Sequence, residues 1–494
     1  MIPQRLSGAT TALLIALSAC GSSPSAGGGT GGPPPASGAA GSGGTAGATI
    51  PAAGSGGDTA TGGAAGSVAA STGGSSPGNT GGSAGTGTGA AAGNLGSATG
   101  GGAGRATGGI AGGGGAAGAG GAAAACPLHG SLPATSWAVR LANAVLARWP
   151  DPADITTTAG WEYNHGIVLR GLQQVWNHTC DPRYVAYIQK YADENVSAAG
   201  VVNIPASHSF DNIQPSVLLP FLFQRTGLAK YRAAADQIRA RYDTIPTNAD
   251  GGFWHKQAYP NQMWLDSMYM GEPFLARYGA VFGTCGTFCS DTVFKQMLLL
   301  AAHVRDPATG LLYHAWDDSP AGKKASWADP TTGRSPVVWD RALGWYTMAI
   351  VDMLPDLPAG ANRDSLLSIL SGIAAALQAT QDPATGLWFE VVDHAGHSDD
   401  WVESSGSGMF VYALKVAVDR GFIDATYLAV ATRGWQGLQT KLAVDSSGLP
   451  SISGAVQGVT VMGNYAGYVN QKTLTNSSHG LCGILLAASE MEAH

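Results

Sequence analysis

The sequence predicts an all-helical domain built as a closed ring of helical hairpins, and three observations point to it. Apolar residues recur at helical spacing in about a dozen segments beyond residue 126. Clean period-two runs are scarce, the best being residues 387–392 and 459–462. One corner sequence occurs twice, as Asp306-Pro307-Ala308-Thr309-Gly310-Leu311-Leu312-Tyr313 and as Asp382-Pro383-Ala384-Thr385-Gly386-Leu387-Trp388-Phe389. In each copy the proline opens a turn, the glycine supplies a positive φ and the aromatic re-enters the core. Both copies follow a long helix, as equivalent corners of a ring would, and the lack of a constant short period favours a closed toroid over an open solenoid.

The helical segments follow in order. Residues 136–148, 166–177, 183–198, 213–226 and 228–242 show the pattern first, then 265–278, 290–304 and 341–354, and finally 362–380, 406–420, 425–442 and 478–491. End signals agree with these bounds. Ser290 precedes one run, Asn362 opens another with Asp364 in its first turn, and Gly421 follows the run that ends at Arg420.

Composition divides the chain into parts. Residues 1–20 read as a lipoprotein signal: Arg5 gives the positive start, Thr11 to Leu17 a short apolar run, and Leu17-Ser18-Ala19-Cys20 a lipobox in which Cys20 would be lipidated. The apolar run is too short to span a bilayer. Residues 21–125 are almost wholly Gly, Ala, Ser, Thr and Pro, with Asp58 and Arg105 the only charges. Such a tract has too little to bury to offset the entropy of ordering, so it reads as a disordered linker. Residues 126–494 hold the aromatics and nearly all the charge, and at roughly 370 residues they suit one barrel-sized domain. The expected location is the cell envelope, with the protein exported and lipid-anchored at the outer membrane or cell surface.

The formal net charge of −7 comes with no basic footprint, so nucleic acid is excluded as a partner and the lipid is the expected membrane contact. Cys20 aside, Cys126, Cys180, Cys285, Cys289 and Cys482 remain, an odd number for an exported chain. Cys285 with Cys289 could close a small ring, and Cys126 with Cys180 is the next plausible pair. That would leave Cys482 as a buried thiol, though spacing alone does not fix the pairing. No histidine accompanies these cysteines at ligand spacing, so a zinc site is rejected.

Polar and aromatic residues gather in the loops that enter helices. Tyr163-Asn164-His165-Gly166 opens one, Ser209-Phe210-Asp211-Asn212 another, and Gly251-Gly252-Phe253-Trp254-His255-Lys256 precedes a third that starts at Trp264-Leu265-Asp266. Tyr313-His314-Ala315-Trp316-Asp317 closes a corner, and Trp339-Asp340-Arg341 starts a further helix. If the hairpins alternate inner and outer helices, these loops share one mouth rich in Trp, Tyr, His and Asp, the lining expected of a sugar site. Among them Asp266 stands in an aromatic setting, where lost solvation makes a carboxylate hold its proton more tightly and act as an acid near neutral pH. The competing structural readings are a helix-starting Asp266, an N-capping Asp211, an Arg341 paired with Asp340, and histidines and tryptophans that simply belong to the core.

Six stretches then stand in one order: Tyr-Asn-His-Gly-x-Val-Leu-Arg-Gly-Leu, Phe-Asp-Asn-Ile, Gly-Gly-Phe-Trp-His-Lys with Gln-Met-Trp-Leu-Asp-Ser-Met-Tyr-Met, Tyr-His-Ala-Trp-Asp, Ser-Pro-Val-Val-Trp-Asp-Arg-Ala-Leu-Gly-Trp-Tyr, and Glu-Ser-Ser-Gly-Ser-Gly-Met-Phe-Val-Tyr-Ala-Leu. Together they resemble glycoside hydrolase family 105, the unsaturated rhamnogalacturonyl hydrolases, which are related to unsaturated glucuronyl hydrolases. The resemblance covers residues 136–494 and none of the linker.

The resemblance implies an (α/α)6 barrel that removes a 4,5-unsaturated galacturonate from the non-reducing end of lyase-cut pectin oligosaccharides. The reaction hydrates the vinyl ether: an acid protonates C4, water adds at C5, and the hemiketal opens to release the sugar. One carboxyl group that gives and then takes a proton suits this better than an acid and nucleophile pair. The match places Asp266 as the general acid/base and Asp211 as the second active-site carboxylate. Tyr163, Asn164, His255, Lys256, Met270, His314, Trp339, Arg341 and Trp345 fall at substrate-contacting positions, with Arg341 expected to grip the uronate carboxylate in bidentate fashion. No cofactor and no metal are implied. Two other readings stay open: an unsaturated glucuronyl hydrolase acting on other lyase products, and a non-catalytic surface glycan-binding lipoprotein.

Overall fold

A computed structural model of the protein describes Cys126 and residues 128–494. The signal reading of 1–20 with Cys20, and the linker reading of 21–125, lie outside the described residues. Within them the helices are α1 (Trp137–Arg148), α2 (Tyr163–Thr179), α3 (Pro182–Asn195), α4 (Leu218–Thr226), α5 (Ala229–Arg241), α6 (Leu265–Met270) and α7 (Glu272–Phe282). They continue with α8 (Phe288–Val304), α9 (Asp340–Met353), α10 (Ala361–Thr380), α11 (Ser404–Asp419), α12 (Leu428–Gln439), α13 (Tyr465–Val469) and α14 (Ser478–Met491).

Packing closes these helices into the expected ring. On the inside α2 contacts α14, α14 contacts α11, α11 contacts α9, and α9 contacts α6 and α7. The circle is completed by the 3-10 turn Gln214–Val217, which leads into α4 and touches both α7 and α2. The remaining long helices, α1, α3, α5, α8, α10 and α12, pack outside them. The two layers differ in sequence for a physical reason. Outer α3 buries one stripe, Tyr184, Tyr187, Ile188, Tyr191 and Ala192, whereas inner α9 is buried from Asp340 through Val351. Small residues let the inner helices approach: a Cβ on Gly408 of α11 would lie 2.7 Å from the carbonyl carbon of Gly483 on α14.

Since inner and outer helices alternate along the chain, every inner helix starts at the same mouth, and every outer helix ends there. The two recurring corners follow α8 and α10 and so belong to that mouth. Gly310 and Gly386 adopt φ of +81° and +75°, and their N–H groups donate to Asp306 and Asp382 O at 2.8 Å. A third copy, Asp329-Pro330-Thr331-Thr332-Gly333, has the same bond at 2.8 Å and a φ of +76°, and was not anticipated from the sequence.

Several expectations are corrected. The run 265–278 is not one helix: it breaks at Gly271 between α6 and α7, where Pro273 cannot donate to the preceding turn. The run 213–226 begins as a 3-10 turn containing Pro215. Residues 459–462 form no strand, because the hairpin pairs β7 (Ala455–Val456) with β8 (Thr473–Leu474) and leaves the intervening chain irregular. Of the other short strands, β1 (Gln262–Trp264) pairs with β2 (Ala315–Asp317), which sets Trp264 opposite Ala315. Disulfides join Cys126 to Cys180, the residue that caps the C-terminus of α2, and Cys285 to Cys289, while Cys482 is a buried free thiol.

The Gly408–Gly483 crossing gives a direct test of ring closure. Gly408→Ala should destabilise the protein by about 1–3 kcal/mol through overpacking, read as a lower midpoint in urea. An unchanged midpoint would mean the inner helices are not held at this separation.

Candidate active site

The mouth where the inner helices begin gathers the polar loops. At the start of α2, Glu162 accepts from the Asn164 N–H at 2.9 Å, and the Asn164 side chain donates to it at 3.0 Å while accepting from Ser478 Oγ at 2.5 Å. Asn164 thus clamps α2 to α14. Tyr163 Oη meets His479 Nε2 at 3.1 Å across the same seam. Asp211 lies in the short turn Phe210–Asn212, where it caps no helix; its Oδ2 is 2.5 Å from Lys256 Nζ. His255 stacks on Trp264 at 4.3 Å and pairs through Nδ1 with Ser267 Oγ at 2.8 Å.

Asp266, in the first turn of α6, is held at Oδ2 by His314 Nε2 at 3.1 Å. The other ring nitrogen of His314 meets Tyr468 Oη at 2.8 Å, and Tyr468 Oη accepts the Met462 N–H at 3.0 Å. When Tyr468 donates to Nδ1, the His314 proton sits on Nε2 and points at Asp266. The Asp266 side chain is 15% exposed and opens on a hollow of about 170 Å³. That hollow is lined by Asp211, His255, Lys256, Asp266 and Met270, together with Tyr163, Trp339, Arg341 and Trp345. A space below the ~300 Å³ typical of drug-sized ligand pockets suits a single sugar ring. Larger hollows exist, of about 420 Å³ at the opposite mouth, where Asp352 and Glu490 are engaged by Arg170 and His178, and of about 680 Å³ along α10, lined mostly by small and apolar residues.

Three expected contacts are revised. Asn164 and His314 do not line the hollow; Asn164 is spent on the helix clamp, and His314 is fully buried behind Asp266. Arg341 does line it, but its fork is engaged, donating to Ser405 Oγ, Val456 O and Gln457 O at 3.2, 2.8 and 2.6 Å. It lies 4.5 Å over Trp339 and acts as a buried charge that fixes the wall 456–457. Sequence reasoning gave no role to Trp264, His479 or Gly458–Thr460, which also line the hollow, nor to Tyr468 behind it. Tyr468 and His314 are 154 residues apart, so no local pattern could pair them.

Electrostatics reverse one expectation. Burial pushes the Asp266 carboxyl up, but the His314 hydrogen bond outweighs it and holds the group below the usual carboxylate range. Asp211 goes the other way: burial raises it despite Lys256, and the Asp266 charge adds to the rise. Burial also lifts Glu162 to about 7, with Asp211 contributing. His255 and His479 are pushed well down by burial, with Lys256 and Arg341 respectively adding to the effect, so both imidazoles are neutral.

Beneath Trp339 and Arg341 lie three more acids, Asp340, Glu390 and Glu403, all fully buried. Glu403 accepts from Ser405 Oγ, Gly406 N–H and Val456 N–H at 2.8, 2.6 and 2.7 Å. Glu390 accepts from Trp339 Nε1 at 2.9 Å. Burial, reinforced by the charge of Glu403, raises Asp340 and Glu390 well above the carboxylate range. Both therefore hold a proton more tightly than an exposed acid does. Among the described residues no cluster of His, Cys, Asp or Glu is arranged to hold a metal ion.

The sequence profile of Glycosyl Hydrolase Family 88 matches residues 137–494. The chain is 32% identical to a solved glycoside hydrolase from family 105 of C. acetobutylicum ATCC 824, with a TM-score of 0.67 and coverage of 72% of this chain and 99% of that one. It is 31% identical to Protein Atu3128 of Agrobacterium fabrum over 45% of this chain and 97% of the relative. It is 25% identical to the unsaturated rhamnogalacturonyl hydrolase YesR of Bacillus subtilis over 66% of this chain and 89% of the relative.

The two acids raised by burial and the bonded Glu403 should respond differently to isosteric change. Asp340→Asn and Glu390→Gln should leave urea stability near that of the parent, since an amide resembles the protonated form that burial favours. Glu403→Gln should cost about 1–3 kcal/mol by turning an acceptor against an N–H donor. Equal losses in all three variants would contradict the assignment.

Proposed function

The chain belongs to the glycosyl hydrolase family 88 and 105 group, and from that premise we propose that it removes a 4,5-unsaturated galacturonate from lyase-cut rhamnogalacturonan or related pectin oligosaccharides. The observation that carries this reading is Asp266, enclosed by aromatics, facing the hollow and held at one oxygen by His314. The printed name of the relative YesR supports the rhamnogalacturonan substrate. Two disulfides support an exported protein, because such bonds persist in oxidising compartments.

In this reading the uronate enters with its ring between the aromatic walls. Its carboxylate meets the positive field of Arg341 and the Lys256 ammonium rather than an open guanidinium fork. Its negative charge, and the water it displaces, raise Asp266 and load it with a proton. That proton passes to C4 as the double bond is consumed. Water adds at C5 and its proton returns to Asp266, so the group ends the cycle as it began. The hemiketal at C5 then opens, the bond to the leaving sugar's oxygen breaks and the sugar departs. Asp211 orients the water, and Lys256 holds it in place.

Disappearance of the unsaturated uronate's ultraviolet band on adding the protein to lyase digests tests the activity. A panel of rhamnogalacturonan, homogalacturonan, xanthan and chondroitin digests identifies the preferred uronate and leaving sugar. No loss of the band on any digest, with sugar binding retained, would instead support a non-catalytic binder. Asp266→Asn should lower kcat by about 10²–10⁴-fold with little change in binding. Because Asp266 is held below the usual range in the free protein, its acid form grows as pH falls, so kcat/KM should rise between about pH 8 and 5. His314→Phe removes the hydrogen bond that lowers Asp266 and should move this limb to higher pH. A profile unmoved by that change would detach His314 from Asp266's titration.

A further inference from the structure

The third corner differs from its two copies in the residue that follows the glycine. After Gly310 and Gly386 come Leu311 and Leu387, both buried in the core. After Gly333 comes Arg334, partly exposed, in a turn otherwise matched bond for bond. The glycine is required here, since a Cβ at Gly333 would lie 2.2 Å from Asp317 O. The turn that elsewhere anchors a leucine therefore presents a cation.

Arg334 lies 4.0 Å over the ring of Tyr313. Among the described residues no carboxylate pairs with its guanidinium and no acceptor takes its side-chain N–H groups. Asp329, its nearest acid in sequence, is occupied within its own turn by Thr331 N–H and Thr332 N–H at 3.0 and 2.6 Å. Arg334, Tyr313 and Trp327 line a hollow of about 330 Å³ together with Thr332 and Ser335.

This hollow is linked to the candidate active site through one chain segment and one packed cluster. Gly458–Thr460 line the site, and a Cβ on Gly463 would fall 3.8 Å from Trp327 Cα. The three residues from 460 to 463 extend at most about 10 Å. Trp327 and Tyr259 also pack on the cluster of Trp264, Ala315 and Val461, and Trp264 lines the site. Packed side chains thus connect the wall of one hollow to the wall of the other.

We propose that this second hollow is a distal subsite for an acidic sugar on the leaving side of the oligosaccharide, with Arg334 facing its carboxylate and Trp327 its ring face. The proposal rests on the oligosaccharide reading above. A guanidinium stacked on a ring and still holding its donors is preorganised for a carboxylate, and the partly buried Trp327 indole lining the same hollow gives an apolar face that a sugar covers.

Two arms test it. In the kinetic arm, kcat/KM is measured on an unsaturated disaccharide and on an unsaturated tetrasaccharide of alternating acidic sugars. Arg334→Gln and Trp327→Ala should each lower the tetrasaccharide-to-disaccharide ratio by about tenfold, and Arg334→Lys by less, since it keeps the charge and loses the fork. In the binding arm, tryptophan fluorescence follows titration with saturated tetragalacturonate, which carries no double bond to hydrate. Arg334→Gln should weaken that affinity about tenfold and leave any affinity for a neutral tetrasaccharide unchanged. An unaltered ratio together with unaltered tetragalacturonate affinity in a folded Arg334→Gln protein overturns the subsite. If that variant does not fold, Trp327→Ala decides on the same readings. If the parent protein hydrates no unsaturated substrate, the hydrolase reading fails and the binding arm alone decides the subsite.

Discussion

Closure of the inner ring is the constraint on which the rest depends. The first and last inner helices are separated by most of the domain's sequence, yet they meet where Asn164 accepts from Ser478 and Tyr163 meets His479. That seam is also a wall of the candidate active site. Closing the ring brings every inner N-terminus to one mouth, and with them the partial positive charge that helix starts carry. A site meant for an anionic sugar gains from that direction of the chain before any side chain is considered. The cost is tight packing, met by small residues such as Gly408 and Gly483 at the crossing of α11 and α14.

Charge within the mouth is organised by burial and by the bonds each acid makes. Asp266 and Asp211 are near neighbours with opposite tendencies: a histidine bond lowers one, and loss of solvent raises the other. The acids under Trp339 follow the same logic, since the one that gathers three donors is Glu403, while burial raises Asp340 and Glu390. Glu403 and Arg341 both grip Val456, one at its N–H and the other at its carbonyl, and so place the chain that supplies Gly458–Thr460 to the site. Arg341 is better understood as part of this framework than as an open hand for the substrate.

The sequence makes the architecture legible because amphipathic spacing and burial follow the same periodicity. Residues 478–491 coincide with α14, and most other helical runs differ from the observed helices by a few residues. The misses have local causes: Pro215 and Pro273 recast two helix starts, and the chain at 459–462 runs between paired segments 455–456 and 473–474 without a strand partner of its own. Loop motifs brought Asp211, His255, Lys256, Asp266 and Trp339 to one hollow as expected. They could not reveal which members face inward. Asn164 and His314 belong to the same motifs but spend their polar atoms on other residues, and Tyr468 acts from far along the chain. The direction of Asp266's shift was equally hidden, because it turns on a bond to His314 that only the fold creates.

The bridge between Cys126 and Cys180 has a mechanical meaning. Cys180 caps α2 at the end remote from Tyr163, and nearby the His129 N–H donates to Asn177 O at 3.1 Å. Cys126 is therefore riveted to the floor end of an inner helix. A load applied at Cys126 would be borne by that bridge and passed down the axis of α2, at the end of the helix opposite Tyr163.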